Sequence, residues 1–272
     1  MIKRRITKKT NIVGYANLPR KIVGRDTDLA VYAKTAGIKN GLELKASRDT
    51  IIRLKNKGLW TKLACVYLMS PTSLSAALVC AKSRTVGTAV NSPTHAKTGV
   101  TFDGATNYID TNVAHSAGNF PGVPAGISVY VSTHSAPAGV IYYCGVNTTN
   151  KNYRLTSNSN KFYFLHFGVS VTATSTTNSG TAGFYSSTFP SSSDARTYYN
   201  STNEKSASIS GLTPSYTDNN IFIGGANNAG TLSNPVSFEC KWASFFNSGP
   251  SVAQSGFEYA IALQYQTALK RN

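Results

Sequence analysis

Residues 58–69 read GLWTKLACVYLM, and the chain changes character across them. Before this stretch the sequence is cationic and patterned like helices; after it the sequence is nearly uncharged and patterned like strands. A glycine after a helical pattern is the preferred left-handed stop, so the chain leaves a helix at Gly58. Leu59 and Trp60 then fold back as apolar cover, and Leu63 to Met69 enters a sheet. Trp60 is accordingly expected to pack the helices onto the sheet rather than to serve chemistry.

Two helices are predicted upstream. DTDLAVYAKTAGI takes Asp26 or Thr27 as its N-cap, with Leu29, Ala30, Tyr32, Ala33 and Ala36 on roughly one face and Gly37 followed by Ile38 as the stop. The next runs from about Glu43 to Asn56, with Leu44, Ile51, Ile52 and Leu54 apolar. Further upstream, residues 1–25 form a basic arm. Lys3, Arg4, Arg5, Lys8, Lys9, Arg20, Lys21 and Arg25 face no acid there. Residues 1–62 hold 16 of the 27 Lys and Arg but 4 of the 11 Asp and Glu, so +12 of the net +16 lies in this region. Such an arm repels itself and invites an acidic partner, either a groove on a neighbouring protein or nucleic acid. It lacks the apolar core of a signal peptide, and no 18-residue apolar run occurs in the 272 residues, so neither a classical leader nor a membrane partner is expected.

Downstream the texture is all β. CVYLM, SAALVC, TGVTFD, NYIDT, ISVYVST, GVIYYCGV, NYRLT, KFYFLHFG, VSVTAT, AGFYSS, RTYYN, KSASIS, NIFIGGA and SFECKWASFF read as strands between Gly, Asn, Ser and Pro clusters. Many short strands at this spacing imply a two-sheet sandwich or jelly roll. The Ser/Thr/Asn-rich run from about Thr172 to Ser193 reads as exposed loop or strand edge. A final helix starts at the capping box Ser251-Val-Ala-Gln254, with Phe257, Ala260, Ile261, Tyr265, Ala268 and Leu269 as its apolar face. The division is therefore 1–25 arm, 26–62 helical segment and 63–272 sandwich with C-terminal helix. Cys65, Cys80, Cys144 and Cys240 are scattered in apolar runs without metal-ligand spacing, and buried free thiols are expected.

The segments DTDLAVYAKTAGI, NKGLWTKLACVYLMSPT, TGVTFDGATNYIDTNVAHS and FFNSGPSVAQSGFEYAIALQYQTALKRN together resemble bacteriophage virion proteins bearing a concanavalin A-like, laminin-G-like sandwich. The resemblance spans about residues 26–272, with 120–235 alike in texture only. Leu68 stands where that family has proline, SPTSLSA replaces its glycine-rich turn, and the arm has no counterpart in it. The resemblance implies a concanavalin A-like jelly roll, a place in the virion, an oligomeric assembly and other virion proteins as partners.

Glucanases of that fold need paired carboxylates on one strand, and Glu43, Glu204, Glu239 and Glu258 have no acidic neighbour at strand spacing. Asp103 and Asp110 flank a turn and are expected to organise it. His95, His115, His134 and His166 are isolated, and no nucleophile triad or phosphate-binding loop is present. No enzyme and no cofactor are expected, apart from calcium through the loop residues Asp194 and Asp218. Glycan binding is the other reading. GVNTTNKNYR and YTDNNIFIGGANNAG offer Tyr153, Tyr216, Asn219 and Asn220, an aromatic face and polar groups of the sort lectin loops use, although Tyr and Asn also decorate ordinary sandwich surfaces. Three functions stand: a virion structural protein docked through its arm and helices; a receptor-binding module for host-surface glycans; and a small-virus coat protein whose arm neutralises genome.

Overall fold

The computed structural model describes residues 26–122, 125–134, 139–149, 151–158, 161–166, 169–170, 181–209 and 215–271. The eight basic arm residues expected to dock, Lys3 through Arg25, lie outside the described residues, as does much of the Ser/Thr/Asn-rich run.

Helices α1 (Thr27–Thr35) and α2 (Gly41–Asn56) come first, and a 3-10 turn at Trp60–Lys62 follows. The Asp26 carboxylate caps α1 by accepting from the Asp28 and Leu29 amides, and Gly37 stops it at φ +65°. Asn40 caps α2 in the same way, and Gly58 at φ +66° ends it, so that the Leu59 N–H reaches back to the Leu54 carbonyl at 2.9 Å. Next come β1 (Leu63–Tyr67), a short helix α3 (Leu74–Ala77), β2 (Thr88–Val90), β3 (Thr94–His95), β4 (Val100–Asp103) and β5 (Tyr108–Ala114). The central strands are β6 (Gly126–His134), β7 (Ile141–Thr148), β8 (Lys151–Asn158), β9 (Lys161–His166) and β10 (Val169–Ser170). The series continues with β11 (Gly183–Ser191), β12 (Asp194–Tyr199), β13 (Thr202–Ser208), β14 (Asn220–Ile223), β15 (Ala226–Asn228) and β16 (Thr231–Ser233). The long β17 (Ser237–Phe246) and helix α4 (Val252–Ala268) close the chain.

The strands form two sheets. The first has the order β13-β12-β11-β6-β17-β4-β3, with β1 also paired to β17; the second has the order β10-β9-β8-β7-β14-β5-β2, with β15 and β16 at its side. Alternation decides which side chains fill the space between them. Ile127, Val129 and Val131 of β6 turn inward with Phe238 and Phe245 of β17, and meet Tyr143, Val146, Tyr153 and Leu155 from the second sheet. The Tyr143 ring lies edge-on to Phe238 at 5.3 Å. A second apolar cluster covers the outer face of the first sheet, where Phe184, Trp242 and Phe246 meet Tyr32, Leu54, Trp60, Ile261 and Tyr265 of the helical layer. The molecule is thus mostly β, two packed sheets with helices on one outer face. Trp60 lies within that layer, with the Lys55 and Lys82 ammonium groups 5.5 Å and 5.1 Å from its ring centroid.

The acids at the start of α1 tie the helices together. Lys55 bridges Asp26 and Asp28 at 2.7 Å each, and Arg84 reaches Asp28 at 2.6 Å. Burial alone would raise the Asp28 carboxyl, but the two cations outweigh it and hold it below the usual range. Gln254, already in the capping box of α4, donates to the Lys57 carbonyl at 3.1 Å and pins α4 to the end of α2.

Three expectations are corrected. SAALVC is not a strand: Ser73 accepts the Ala76 amide and starts the short helix α3 instead. Cys65 and Cys80 are joined in a disulfide, whereas Cys144 and Cys240 are buried free thiols. On α4 Ile261 and Tyr265 are buried as expected and Leu269 packs beside them, but the buried face also carries Ser255, Glu258, Ala262 and Gln266, while Phe257 stays 39% exposed. The first sheet offers hydroxyl and indole donors to Glu258, so the helix turns its polar stripe inward.

Asp103 organises the turn between β4 and β5 as expected, accepting from the amides of Ala105, Thr106 and Asn107 at 2.8 to 3.1 Å. Asp110 instead accepts from the Asn112 amide and the Asn220 side chain, linking β5 to β14. The backbone donors outweigh burial and keep the Asp103 carboxyl low. Asp103→Ala is therefore expected to lose about 1 kcal/mol in urea unfolding at neutral pH. Because a depressed carboxyl stabilises only above its unfolded value, this deficit should vanish as pH falls through the folded one.

Candidate functional site

Strand β6 alternates cleanly, with its apolar residues inward and Ser128, Tyr130 and Ser132 on the outer face. Tyr130 is a large aromatic among serines on a polar face. Its ring meets Phe184 of β11 edge-on at 6.1 Å, and Phe184 meets Tyr259 of α4 at 5.9 Å. Phe184 is fully buried, and the two tyrosines flank it half-buried. A cleft of 250 Å³ opens here, lined by Tyr130, Ser132, Gly183, Asn200, Lys241 and Tyr259, with Val131 and Ala182 completing it.

Each polar group is placed by the sheet. Asn200 sits at φ +54° after β12; its side-chain oxygen accepts from the Phe184 amide at 3.0 Å, and its own amide donates to the Phe184 carbonyl at 2.7 Å. Ser132 donates to the Glu239 carboxylate, and the Lys241 ammonium donates to the Arg271 carbonyl. A Cβ at Gly183 would lie 2.3 Å from the Tyr199 ring, so any larger residue there would displace that side chain. Burial, reinforced by Tyr259 and Tyr199, raises the Tyr130 phenol, so it is a neutral hydroxyl near pH 7. Burial lowers the Lys241 ammonium, partly offset by Glu239. The cleft thus sets two aromatic faces beside Asn200, Ser132 and a Lys241 that is 8% exposed and already donates to the Arg271 carbonyl, in a space below the roughly 300–1,000 Å³ of drug-sized sites.

The residues that the sequence put forward lie elsewhere. Tyr153 is fully buried, stacked 5.1 Å from the His115 ring and 4.9 Å from Phe120, with its hydroxyl donating to the Gly126 carbonyl. No sugar reaches that ring, and the expectation is corrected: the alternation of β8 sends Tyr153 and Leu155 into the core. Tyr216 packs half-buried, 5.6 Å from His115, whose imidazole burial pushes down to about 3. The Asn219 carbonyl accepts from the His115 amide, and the Asn220 side chain is spent on Asp110. These four residues form no shared exposed platform. For calcium, Asp194 on β12 is paired with Arg196 at 2.7 Å, while Asp218 precedes β14 in the other sheet. Among the described residues no three acids, histidines or cysteines cluster as metal ligands.

Three glutamate side chains are buried and bound by hydroxyls: Glu43 by Ser70 and Thr72, Glu239 by Ser132, and Glu258 by Ser128 and Ser244. For Glu239 and Glu258 the serines on the outer faces of β6 and β17 carried that signal, but only with the strand order known, whereas Ser70 and Thr72 lie in the turn after β1.

No family model matches the chain, and no curated protein is similar to it. Solved structures are similar in fold. A mutant of Trypanosoma rangeli sialidase displaying trans-sialidase activity aligns with TM-score 0.52 and 11% identity, over 83% of this chain and 39% of that one. The receptor-binding domain of a botulinum neurotoxin C/D mosaic serotype aligns with TM-score 0.53 and 10% identity, over 74% and 51%. Botulinum neurotoxin type C, described as entering cells through interaction with two ganglioside molecules, aligns with TM-score 0.54 and 9% identity, over 75% and 52%. The chain spans about two fifths to half of the length of these proteins. The likeness shows the fold alone: a two-sheet β-sandwich. It also corrects the expectation of no enzyme, because about two fifths of a sialidase chain shares this sandwich. Neither group is a virion protein, so the virion resemblance stands on the sequence motifs alone.

Proposed function

We propose that this chain is a glycan-binding module, with the Tyr130–Tyr259 cleft as its sugar site. The observation that carries this reading is the cleft itself: two half-buried tyrosines over a buried phenylalanine, joined by Asn200, Ser132 and Lys241 on one sheet face. Lys241 lines the wall, 8% exposed and with its ammonium donating to the Arg271 carbonyl, and an acidic sugar is the proposed class. Support for that class comes from the Trypanosoma rangeli sialidase in complex with sialic acid and from the ganglioside interaction of neurotoxin type C, both of which share the fold. The test is an array of host-surface glycans including sialylated ones, probed with wild type and Tyr259→Ala. Saturable binding to sialylated glycans is expected, weakened about tenfold when one aromatic face is removed. Silence across the array, or unchanged binding by the variant, contradicts the reading.

The setting proposed for this module is the surface of a bacteriophage virion, with a concanavalin A-like jelly roll at 63–272 presented outward and the helical segment 26–62 beside it. The basic arm 1–25 supports docking on neighbouring virion subunits, its eight cations calling for an acidic groove. Truncation of residues 1–25 should then abolish incorporation into particles, and normal incorporation of the shortened chain would refute this setting. If the arm instead binds packaged genome, its nucleic-acid affinity will fall steeply with salt.

A further inference from the structure

Part of the apolar stripe of α4 that the sequence assigned to the core is left open: Phe257 and Ala268 are exposed, while Ile261 and Tyr265 are buried. Phe257, Ala260 and Ala268 face a trough between α2 and α4, which run antiparallel. At one end Arg53 and Lys57 oppose Phe257 and Ala260 around a 570 Å³ hollow. In the middle Lys45, Ala46 and Arg53 oppose Ile261 and Ala268 around 210 Å³. At the far end Leu42 and Glu43 oppose Leu269, Lys270 and Arg271 around 490 Å³, with Lys97 on the rim. The sixteen residues of α2 set the length of this trough, about 24 Å at the helical rise.

Its charge is one-sided. Six cationic side chains line it against two carboxylates. Glu43 is buried and held by Ser70 and Thr72, and Asp49 is paired with Lys45 and Arg48. Arg53 and Lys57 form no ion pair among the described residues, and the Lys57 ammonium rests 4.1 Å over the exposed Phe257 ring. At the far end Arg271 is 3% exposed; its Nε and Nη1 are fixed by the Thr98 and Met69 carbonyls, and its Nη2 has no hydrogen-bond partner among the described residues. Exposed Leu42, at 50%, and Phe257 extend the apolar floor at opposite ends.

We propose that this trough docks an acidic amphipathic helix of a neighbouring protein, about four turns long, with apolar residues on the floor and Asp or Glu along the cationic rim. Charge selects the occupant. The chain's own arm is purely cationic and is repelled, and a second copy of a chain of net charge +16 is disfavoured in the same way. The apolar floor favours a peptide over nucleic acid, which would meet cations along the phosphates but has nothing to set against Leu42, Phe257 and Leu269.

The test is titration calorimetry of the full chain with three synthetic helices of about 18 residues, identical on their Leu and Ala face and carrying Glu, Gln or Lys on the other. The Glu helix is expected to bind saturably and at least about tenfold tighter than the Gln helix, with the Lys helix silent. Arg53→Glu combined with Lys57→Glu should weaken the Glu helix about tenfold, and Phe257→Ser should weaken all apolar contact by a similar factor. Both variants change exposed residues and should keep wild-type glycan binding, which separates this outcome from that of the sugar cleft. No binding of the Glu helix, equal binding by the charge-reversed variant, or binding of a short DNA duplex that the charge reversal abolishes while the peptides stay silent would overturn the proposal.

Discussion

Glu258→Gln is expected to abolish a pH dependence of stability that the wild-type chain shows between about pH 4.5 and about pH 7. Glu258 of α4 is fully buried against the first sheet, where Ser128 donates to it at 2.9 Å, Ser244 donates to it, and the Trp242 indole donates at 3.3 Å. Burial outweighs these donors and pushes the carboxyl from 4.5 up to about 7. The folded state therefore keeps its proton through a window in which the unfolded chain has already lost it. Unfolding free energy falls as pH rises through that window and levels off on either side. The fall amounts to roughly 3 kcal/mol, the free-energy equivalent of holding the proton that much more tightly. Glutamine does not titrate and can donate to Ser128 while Ser128 continues to Ser186 at 2.9 Å, so the slope should disappear and the fold should remain. Glu258→Ala is a different case, leaving an empty space and unpartnered buried donors, and should cost roughly 2–5 kcal/mol at every pH. Urea unfolding across the pH window measures all three chains. An unchanged slope in Glu258→Gln would show that another group carries the titration.

Gly145→Ala is expected to be the most damaging added methyl among the described glycines. Gly145 lies in β7 at φ +130°, paired with Arg154 of β8 and Phe222 of β14. An added Cβ would stand 2.1 Å from the Tyr153 carbonyl oxygen and 2.5 Å from the Arg154 Cα. Both are main-chain atoms of the neighbouring strand, so no rotamer change relieves the contact and the β7–β8 ladder has to part. The backbone conformation is itself unfavourable for alanine. A loss of about 3 kcal/mol or more follows, read as a fall in Tm of roughly 6–12 °C for a chain of this size. Gly118→Ala is the control, since its Cβ would meet nothing nearer than 4.0 Å. A Tm within a degree or two of wild type in Gly145→Ala would contradict the strand geometry.

Local chemistry was readable from the residues wherever one side chain closes one turn. Asp26, Gly37, Gly58 and the Ser251 to Gln254 box mark helix ends because their donors and acceptors lie within four residues. Strands of five or more residues announced themselves by alternation. Thr88–Val90, Thr94–His95 and Thr231–Ser233 are too short to show a period, and only their neighbours in the sheet make them strands. The orientation of α4 was hidden for a deeper reason. Part of its apolar stripe, Ile261 and Tyr265, does face the core, but the sheet beneath presents Ser128, Trp242 and Ser244 as donors to Glu258, and Phe257 is left exposed. The sugar cleft was hidden likewise: Tyr130, Asn200, Lys241 and Tyr259 come from four elements, and only the order β12-β11-β6-β17 brings them together. Loop tyrosines and asparagines looked more promising in sequence, yet Tyr153 belongs to the core and Asn220 to the sheet.

Chemical-shift mapping of the isotopically labelled chain during titration with a sialylated oligosaccharide tests the central claim most directly. The amide and side-chain signals of Tyr130, Asn200, Lys241 and Tyr259 are predicted to move together along one saturable curve, while Tyr216, Asn219 and Asn220 stay still. Shifts gathered at that second group, or a spectrum unmoved at any sugar concentration, would contradict it.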